Sequence, residues 1–395
     1  MPDIQVVMTE LGWPLAIALA WLAGEFIHRW TRLPRISVYG VVGFLMVQIF
    51  PAALSSGASS TVTLLANLAF GLILFEFGYR INLHWLRINP WIAVSGLAES
   101  AATFGIVYLI SHLTGMPPLT SLLLASLAMS TSPAGVLRVI NEEDSSGQVT
   151  ERVLHLVAIN CVLAVFVFKV VVGFWVFQTS GSLTQAISHS LIELLISAVM
   201  GAVMGFLVPA VLRRLGAMAQ DGTIAFALGV ILLVAMAHAF DVSPVLATLT
   251  FGLAARHSRV AFSRTERNFG GIGELLTVLL FVFAVSTLEW ERVVEGAGLG
   301  VVLLLARFLV KAVAVAAFAH VGGISWRKGL LTGIALSPMS VFVTLLLEQT
   351  KYMGIVLVDE LAALAAMTLL LEVVGPVITQ RALIWANETP AKEEH

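Results

Sequence analysis

The chain has 395 residues, 58% of them apolar and only 12% charged, roughly half the ~25% charged residues of an average soluble domain. That balance excludes a soluble enzyme. The net charge of −2 leaves no surplus of Lys and Arg to neutralise phosphates, which excludes a nucleic-acid partner.

Apolar runs between charged or Pro/Gly/Ser-rich breaks predict helices at 11–28, 36–52, 61–79, 90–113, 120–140, 152–177, 185–210, 222–240, 243–256, 270–287, 296–320, 328–348 and 358–383. These thirteen segments describe an all-α polytopic membrane protein in one transporter unit, with a short tail at 384–395 whose charged end, NETPAKEEH, is expected to be disordered. The amino terminus, MPDIQVVMTE, has no basic n-region, so the first helix is expected to stay in the mature protein. Cys161 is the single cysteine and lies inside an apolar run, so neither a disulfide nor a metal site is expected, and no cofactor. Gly296, Gly298 and Gly300 imitate a dinucleotide-binding run but open a membrane helix with no strand before it.

The loop charges are one-sided. Arg29, Arg32, Arg35, Arg80, Arg87, Arg138, Arg152, Arg213, Arg214, Arg256, Arg259, Arg264, Arg267, Arg327, Lys328, Arg381 and Lys392 fall on one side, and only Arg292 and Lys351 on the other. Lys and Arg accumulate in cytoplasmic loops, so the expected orientation is amino terminus outside and carboxyl terminus in the cytoplasm. The expected location is a bacterial inner membrane.

Two segments carry a matched interruption. SLLLASLAMSTSPAGVLRVI contains Ser132-Pro133, and GLLTGIALSPMSVFVTLLL contains Ser337-Pro338. Proline removes a donor and clashes with the carbonyl four residues back, so both helices should break and free polar backbone groups at membrane depth. The fifth and twelfth helices run in opposite directions, the mark of an inverted repeat with two crossed discontinuous helices. Their half-helix ends would present partial charges to an ion near the midplane. Ser243-Pro244 opens the ninth helix and reads as an ordinary first-turn proline.

Charges inside a span cost several kcal/mol unless paired or hydrated, so each one is a functional candidate. Glu76, Glu99, Lys169, Glu193, Glu274, Arg307, Lys311 and Glu372 lie well inside spans, while Glu25, Asp241, Glu348, Asp359 and Glu360 lie nearer the ends. Arg307 and Lys311 are four apart and share a helix face. Two buried cations require anionic partners, for which Glu372, Glu99, Glu274 and Glu76 are available. Lys169 and Glu193 are expected to snorkel or pair at a helix interface.

Several of these stretches together resemble the monovalent cation:proton antiporter superfamily, in particular its second branch. The third span, LANLAFGLILFEFGYRINLHWLR, is similar to the family's Leu-Phe-x-x-Gly helix. LLLASLAMSTSPAGVLRVINEE resembles its broken helix with a small polar pair, here Thr131-Ser132, and VLHLVAINCVLAVF stands where the family keeps its ion-binding pair. RFLVKAVAV resembles the helix carrying a basic residue, and LLLEVVGPVITQRAL the closing Glu-x-x-Gly-Pro helix. The resemblance implies a homodimer exchanging a monovalent cation for a proton by alternating access. It further implies dimerisation helices at 11–79 and 222–287, a mobile core at 90–177 and 296–383, and a linking helix at 185–210.

One departure bears on mechanism. Members that exchange Na+ or K+ carry an Asp in the sixth helix after an Asn or Asp, and this chain has Asn160 followed by Cys161. Ser132 stands where many relatives have Asp after the Thr. A thiol is a poor substitute for a carboxylate that must alternate between proton and metal cation. The expected ion site therefore comprises Thr131, Ser132, Asn160, Cys161 and Ser337, with Glu372 and then Glu99 to accept the proton and Arg307 or Lys311 as the paired cation. Two other readings remain open at this point. Surplus core positive charge would suit an anion or organic-acid transporter, and loss of the acids would suit a transport-inactive sensor or scaffold.

Overall fold

The computed structural model describes residues 4–54, 60–176, 183–215, 222–258, 269–352 and 362–390. Among these residues every regular element is a helix, since a chain in lipid must satisfy its own backbone groups within each segment. In order they are α1 (Ile4–Thr31), α2 (Arg35–Ile49), α3 (Pro51–Leu54), α4 (Ser60–Arg80), α5 (Leu83–Ile88), α6 (Pro90–Leu113), α7 (Pro118–Ala128), α8 (Pro133–Glu142) and α9 (Gln148–Val176). There follow α10 (Leu183–Leu215), α11 (Gly222–Ala239), α12 (Pro244–His257), α13 (Gly270–Ser286), α14 (Trp290–Glu295), α15 (Ala297–Ala317), α16 (Trp326–Ala335), α17 (Ser340–Tyr352) and α18 (Ala362–Trp385).

Each of the thirteen segments read from the sequence coincides with one helix or a pair of helices. Among the described residues nine helical stretches are long and apolar enough to cross a bilayer, and α2 and α13 are shorter apolar helices. Arg259, Arg264, Arg267, Asp359, Glu360 and Lys392 lie outside the described residues, as do the side chains of Glu348 and Lys351.

The two interruptions are where the Ser-Pro pairs stand. Pro133 is the first residue of α8, and Ser132 caps it by accepting a hydrogen bond from Gly135 N at 3.3 Å. Pro338 lies in the segment between α16 and α17. Pro14, Pro209 and Pro376 sit inside continuous helices, so proline alone does not decide where this chain breaks. Ser243-Pro244 is a first-turn proline with Ser243 as the N-cap of α12.

The chain forms two compact units. The first takes its described residues from Met1–Thr63, His84–Val165 and Phe281–His395, the second from Leu64–Leu83 and Phe166–Leu280. Residues 11–63, grouped on sequence with the dimerisation helices, thus share a unit with 84–165. In the first unit Glu142, the last residue of α8, accepts from Arg35 N and Arg35 Nη1 and pairs with His28 Nδ1 at 2.8 Å. This anchors one end of the broken helix to the α1–α2 corner, where Arg35 Nε also reaches Glu25 at 2.8 Å.

The chain end departs from the disorder expected of NETPAKEEH at 387–395. Helix α18 continues to Trp385, and Glu388 is buried at the start of α9, accepting from Val149 N and Thr150 N, both at 2.8 Å, and from Thr150 Oγ1 at 2.9 Å. A carboxylate there satisfies orphan amides and complements the helix dipole, which is why this part of a charged tail is ordered. Residues 391–395 lie outside the described residues.

The second unit is held by aromatic and small residues, because lipid is as apolar as the side chains and close packing must drive association there. Phe75 packs edge-on to Phe251 at 4.7 Å and tilted against Phe226 at 5.2 Å and Phe269 at 5.8 Å between centroids, and stacks on Tyr79 at 6.5 Å. Lys169 and Glu193 form an ion pair, as expected of an interfacial pair. Helices α4 and α12 meet at Gly252, where any Cβ would collide with the Phe75 carbonyl. Gly252→Val is therefore expected to destabilise the protein by about 1–3 kcal/mol, read as a lower thermal midpoint in detergent.

Candidate functional site

The crossing of the two broken helices lies within the first unit. Residues 129–132 connect α7 to α8, and residues 336–339 connect α16 to α17. The two connections touch directly, Ser132 N donating to the Pro338 carbonyl at 2.8 Å. The approach is close because Gly135 faces Pro338, whose Cβ would stand 3.0 Å from a Cβ at 135.

Stopping two helices here strands their last carbonyls, which would otherwise cost free energy in a dry interior. Arg307 of α15 answers them. Its Nε donates to Ala128 O at 2.7 Å, Nη2 to Ser130 O at 2.6 Å and Leu336 O at 3.4 Å, and Nη1 to Ser337 O at 2.9 Å. The guanidinium is 1% exposed, and its planar fork of five donors suits several acceptors at fixed angles. Each helix C-terminus carries roughly −0.5 elementary charge, so the two half-helix ends balance the charge of Arg307.

Lys311, one turn along the same face, uses its three donors on Glu99 Oε1 at 2.5 Å, Met129 O at 3.0 Å and Thr131 Oγ1 at 3.3 Å. Thr131 is the hub. Its Oγ1 also accepts from Asn160 Nδ2 at 3.3 Å and donates to Leu336 O at 3.4 Å, while its carbonyl accepts the Cys161 thiol at 3.2 Å. The outer edge is closed by α6, on which Ser100 donates to Asn160 Oδ1 at 2.9 Å and Thr103 to Glu99 Oε1 at 3.1 Å. Glu99 is fully buried, and among the described residues its Oε2 has no hydrogen-bond partner.

Of the residues expected on sequence, Thr131, Ser132, Asn160, Cys161, Ser337, Glu99, Arg307 and Lys311 meet at the crossing, together with Pro133 and Pro338. Two hydroxyls are turned inward on their own chain: Ser132 Oγ caps α8, and Ser337 Oγ donates to Ile334 O at 2.6 Å. Ser337 contributes its carbonyl instead.

Glu372 stands apart from the cations. It is buried on α18 against α2, where a Cβ at Gly40 would stand 2.7 Å from its Cγ, and among the described residues its Oε1 has no partner. Lys311 therefore pairs with Glu99, not with Glu372. Glu76 pairs with Arg80 on α4, and Glu274 is exposed on α13; both belong to the second unit. Ser100 and Thr103 escaped the sequence reading, although Thr103, four residues after Glu99, lies on the same face of α6. Among the described residues no group of His, Cys, Asp and Glu is arranged to hold a metal ion.

Residues 15–385 match the family model described as sodium/hydrogen exchanger, transmembrane. No curated protein matches the chain by sequence. In three dimensions it is similar to the sodium proton antiporter MjNhaP1 from Methanocaldococcus jannaschii, solved at pH 8, with a TM-score of 0.68 and 15% sequence identity over 97% of each chain. That likeness shows a shared fold, an all-helical polytopic membrane architecture. With the family model spanning nearly the whole sequence, the chain belongs to the transmembrane sodium/hydrogen exchanger family.

Proposed function

We propose that this protein exchanges a monovalent cation, Na+ or K+, for a proton by alternating access, with Glu99 and Lys311 as the exchange pair. The observation that carries this reading is that Glu99 binds Lys311 through one carboxylate oxygen and keeps the other unpartnered among the described residues. Hard monovalent ions prefer oxygen ligands, which Glu99, Thr131 and Asn160 supply. A cation that takes the Glu99 carboxylate displaces the Lys311 ammonium. A displaced buried ammonium beside Arg307 is costly, so Lys311 gives up its proton. Charge is conserved at the site, and this pair passes one proton per cation.

The charge balance bears on the anion-transporter reading as well. The positive surplus that motivated it is absorbed, Arg307 by backbone carbonyls of both half-helix ends and Lys311 by Glu99. The assembly and orientation proposed are those of the sequence reading. A homodimer forms through helices at 11–79 and 222–287, the core at 90–177 and 296–383 moves, and the Lys/Arg-rich loops and carboxyl terminus face the cytoplasm.

Proteoliposomes carrying a pH gradient test the reading. Na+, K+ or Li+ is expected to dissipate the gradient, and chloride or carboxylates to leave it intact; the reverse pattern would sink cation exchange. Glu99→Gln is expected to abolish the exchange and Glu372→Gln to retain it. An active Glu99→Gln alongside an inactive Glu372→Gln would move the role to Glu372.

Arg307 has a separate signature. Arg307→Gln leaves several buried carbonyls without their charged donor, a change expected to cost about 3–5 kcal/mol. Thermal unfolding in detergent should show it, with Arg307→Lys restoring only part of the loss. Cys161→Asp adds a carboxylate beside Thr131 and Lys311. It is expected to lower the cation concentration giving half-maximal exchange; an unchanged value would place residue 161 outside the ion's reach.

A further inference from the structure

A narrow cleft, open on one side, lies in the first unit among the ends of α6, α9, α15 and α16. Its wall includes Trp91, Ser95, Arg152, Val315, Phe318 and Thr332. Arg152 is the one charged group lining it. It is 9% exposed, its Nη2 donates to the Gly322 carbonyl, and its Cζ lies 5.9 Å from the centre of the Trp85 ring. Among the described residues no carboxylate pairs with Arg152, and its Nε has no hydrogen-bond partner. Ser95 Oγ likewise makes no hydrogen bond among them. A guanidinium so deeply buried without an anion is expensive, which marks the cleft as the place of a missing negative group.

The surroundings say what kind of group. Four helix ends converge here, and the exposed Trp91 and Trp326 sit on the first turns of α6 and α16. Tryptophan at helix ends belongs to the membrane–water interface, the depth of lipid phosphates. Arginine presents a fork matched to phosphate oxygens and is weakly hydrated, so it gives up water readily for such a ligand. We propose that this cleft binds a phosphate group on Arg152, with Ser95 as a second donor, supplied by the headgroup of an anionic phospholipid whose chains lie along the lipid-facing side.

The cleft stands one helical turn from the crossing on three helices. Ser95 precedes Glu99 by four residues, Leu156 precedes Asn160 by four, and Val315 follows Lys311 by four. That spacing is about 6 Å of helix, so a bound headgroup would brace the same three helices that hold the site.

Delipidated full-length protein in neutral detergent tests this by thermal unfolding with added phosphatidylglycerol, phosphatidylcholine or inorganic phosphate. Phosphatidylglycerol is expected to raise the midpoint, since a ligand that binds only the folded state stabilises it. Phosphatidylcholine is expected to raise it less. Arg152→Gln should lose the shift, Arg152→Lys keep part of it, and Arg214→Gln, an exposed arginine of α10, leave it whole. Should Arg152→Gln fail to fold, Arg152→Lys and Ser95→Ala carry the comparison, both with a reduced shift. Equal stabilisation of wild type and the Arg152 variants, or equal effects of the two lipids, overturns the proposal. A shift from inorganic phosphate alone that Arg152→Gln removes overturns the lipid as source and leaves a soluble phosphate site.

Discussion

Two helices stop in the middle of a hydrophobic slab, and one guanidinium makes that possible. In lipid a free carbonyl has no water to turn to. Arg307 supplies donors to Ala128, Ser130, Leu336 and Ser337 at once, so the breaks at 129–132 and 336–339 are partners in one hydrogen-bonded unit. The need is mutual. A guanidinium 1% exposed would be intolerable without acceptors, and the two half-helix ends provide them with about its own charge in opposite sign.

Once Arg307 is spoken for, the chemistry of the crossing narrows to a few side chains. Lys311 and Glu99 form the charge pair, Thr131 ties together both breaks and α9, and Asn160 links Thr131 to Ser100. Cys161 enters as a donor to the Thr131 carbonyl. An ionised carboxylate there would meet that carbonyl as a second acceptor and would have to turn elsewhere. The acid of this site comes instead from α6, with Thr103 bracing one of its oxygens.

The outer ends of the same helices are fastened by a separate set of charges. Glu142 ties α8 to His28 and Arg35, and Glu388 caps α9 from the far end of the sequence, with Lys328 of α16 at 3.8 Å. These ties hold the broken helices by their ends and leave the crossing to side chains from α6, α9 and α15. The second unit has a different character, a cluster of phenylalanines and glycines with the ion pairs Lys169–Glu193 and Arg80–Glu76.

Hydropathy and proline placement made the helices legible in the sequence, because a membrane admits only segments that satisfy their own backbone, and the matched Ser-Pro pairs named the two breaks in advance. Pairing was another matter. Pro14, Pro209 and Pro376 carry the same local rule as Pro133 and leave their helices unbroken; the difference is a donor brought from α15, far away in the chain. For the same reason composition left Glu372 and Glu99 as rivals for Lys311. Which of them it meets depends on the side of α6 and α18 that faces α15, and helical periodicity along either helix carries no information about the neighbour across the gap. The tail was misread in the same way, since Glu388 looks like solvated charge until the amides at the start of α9 stand beside it.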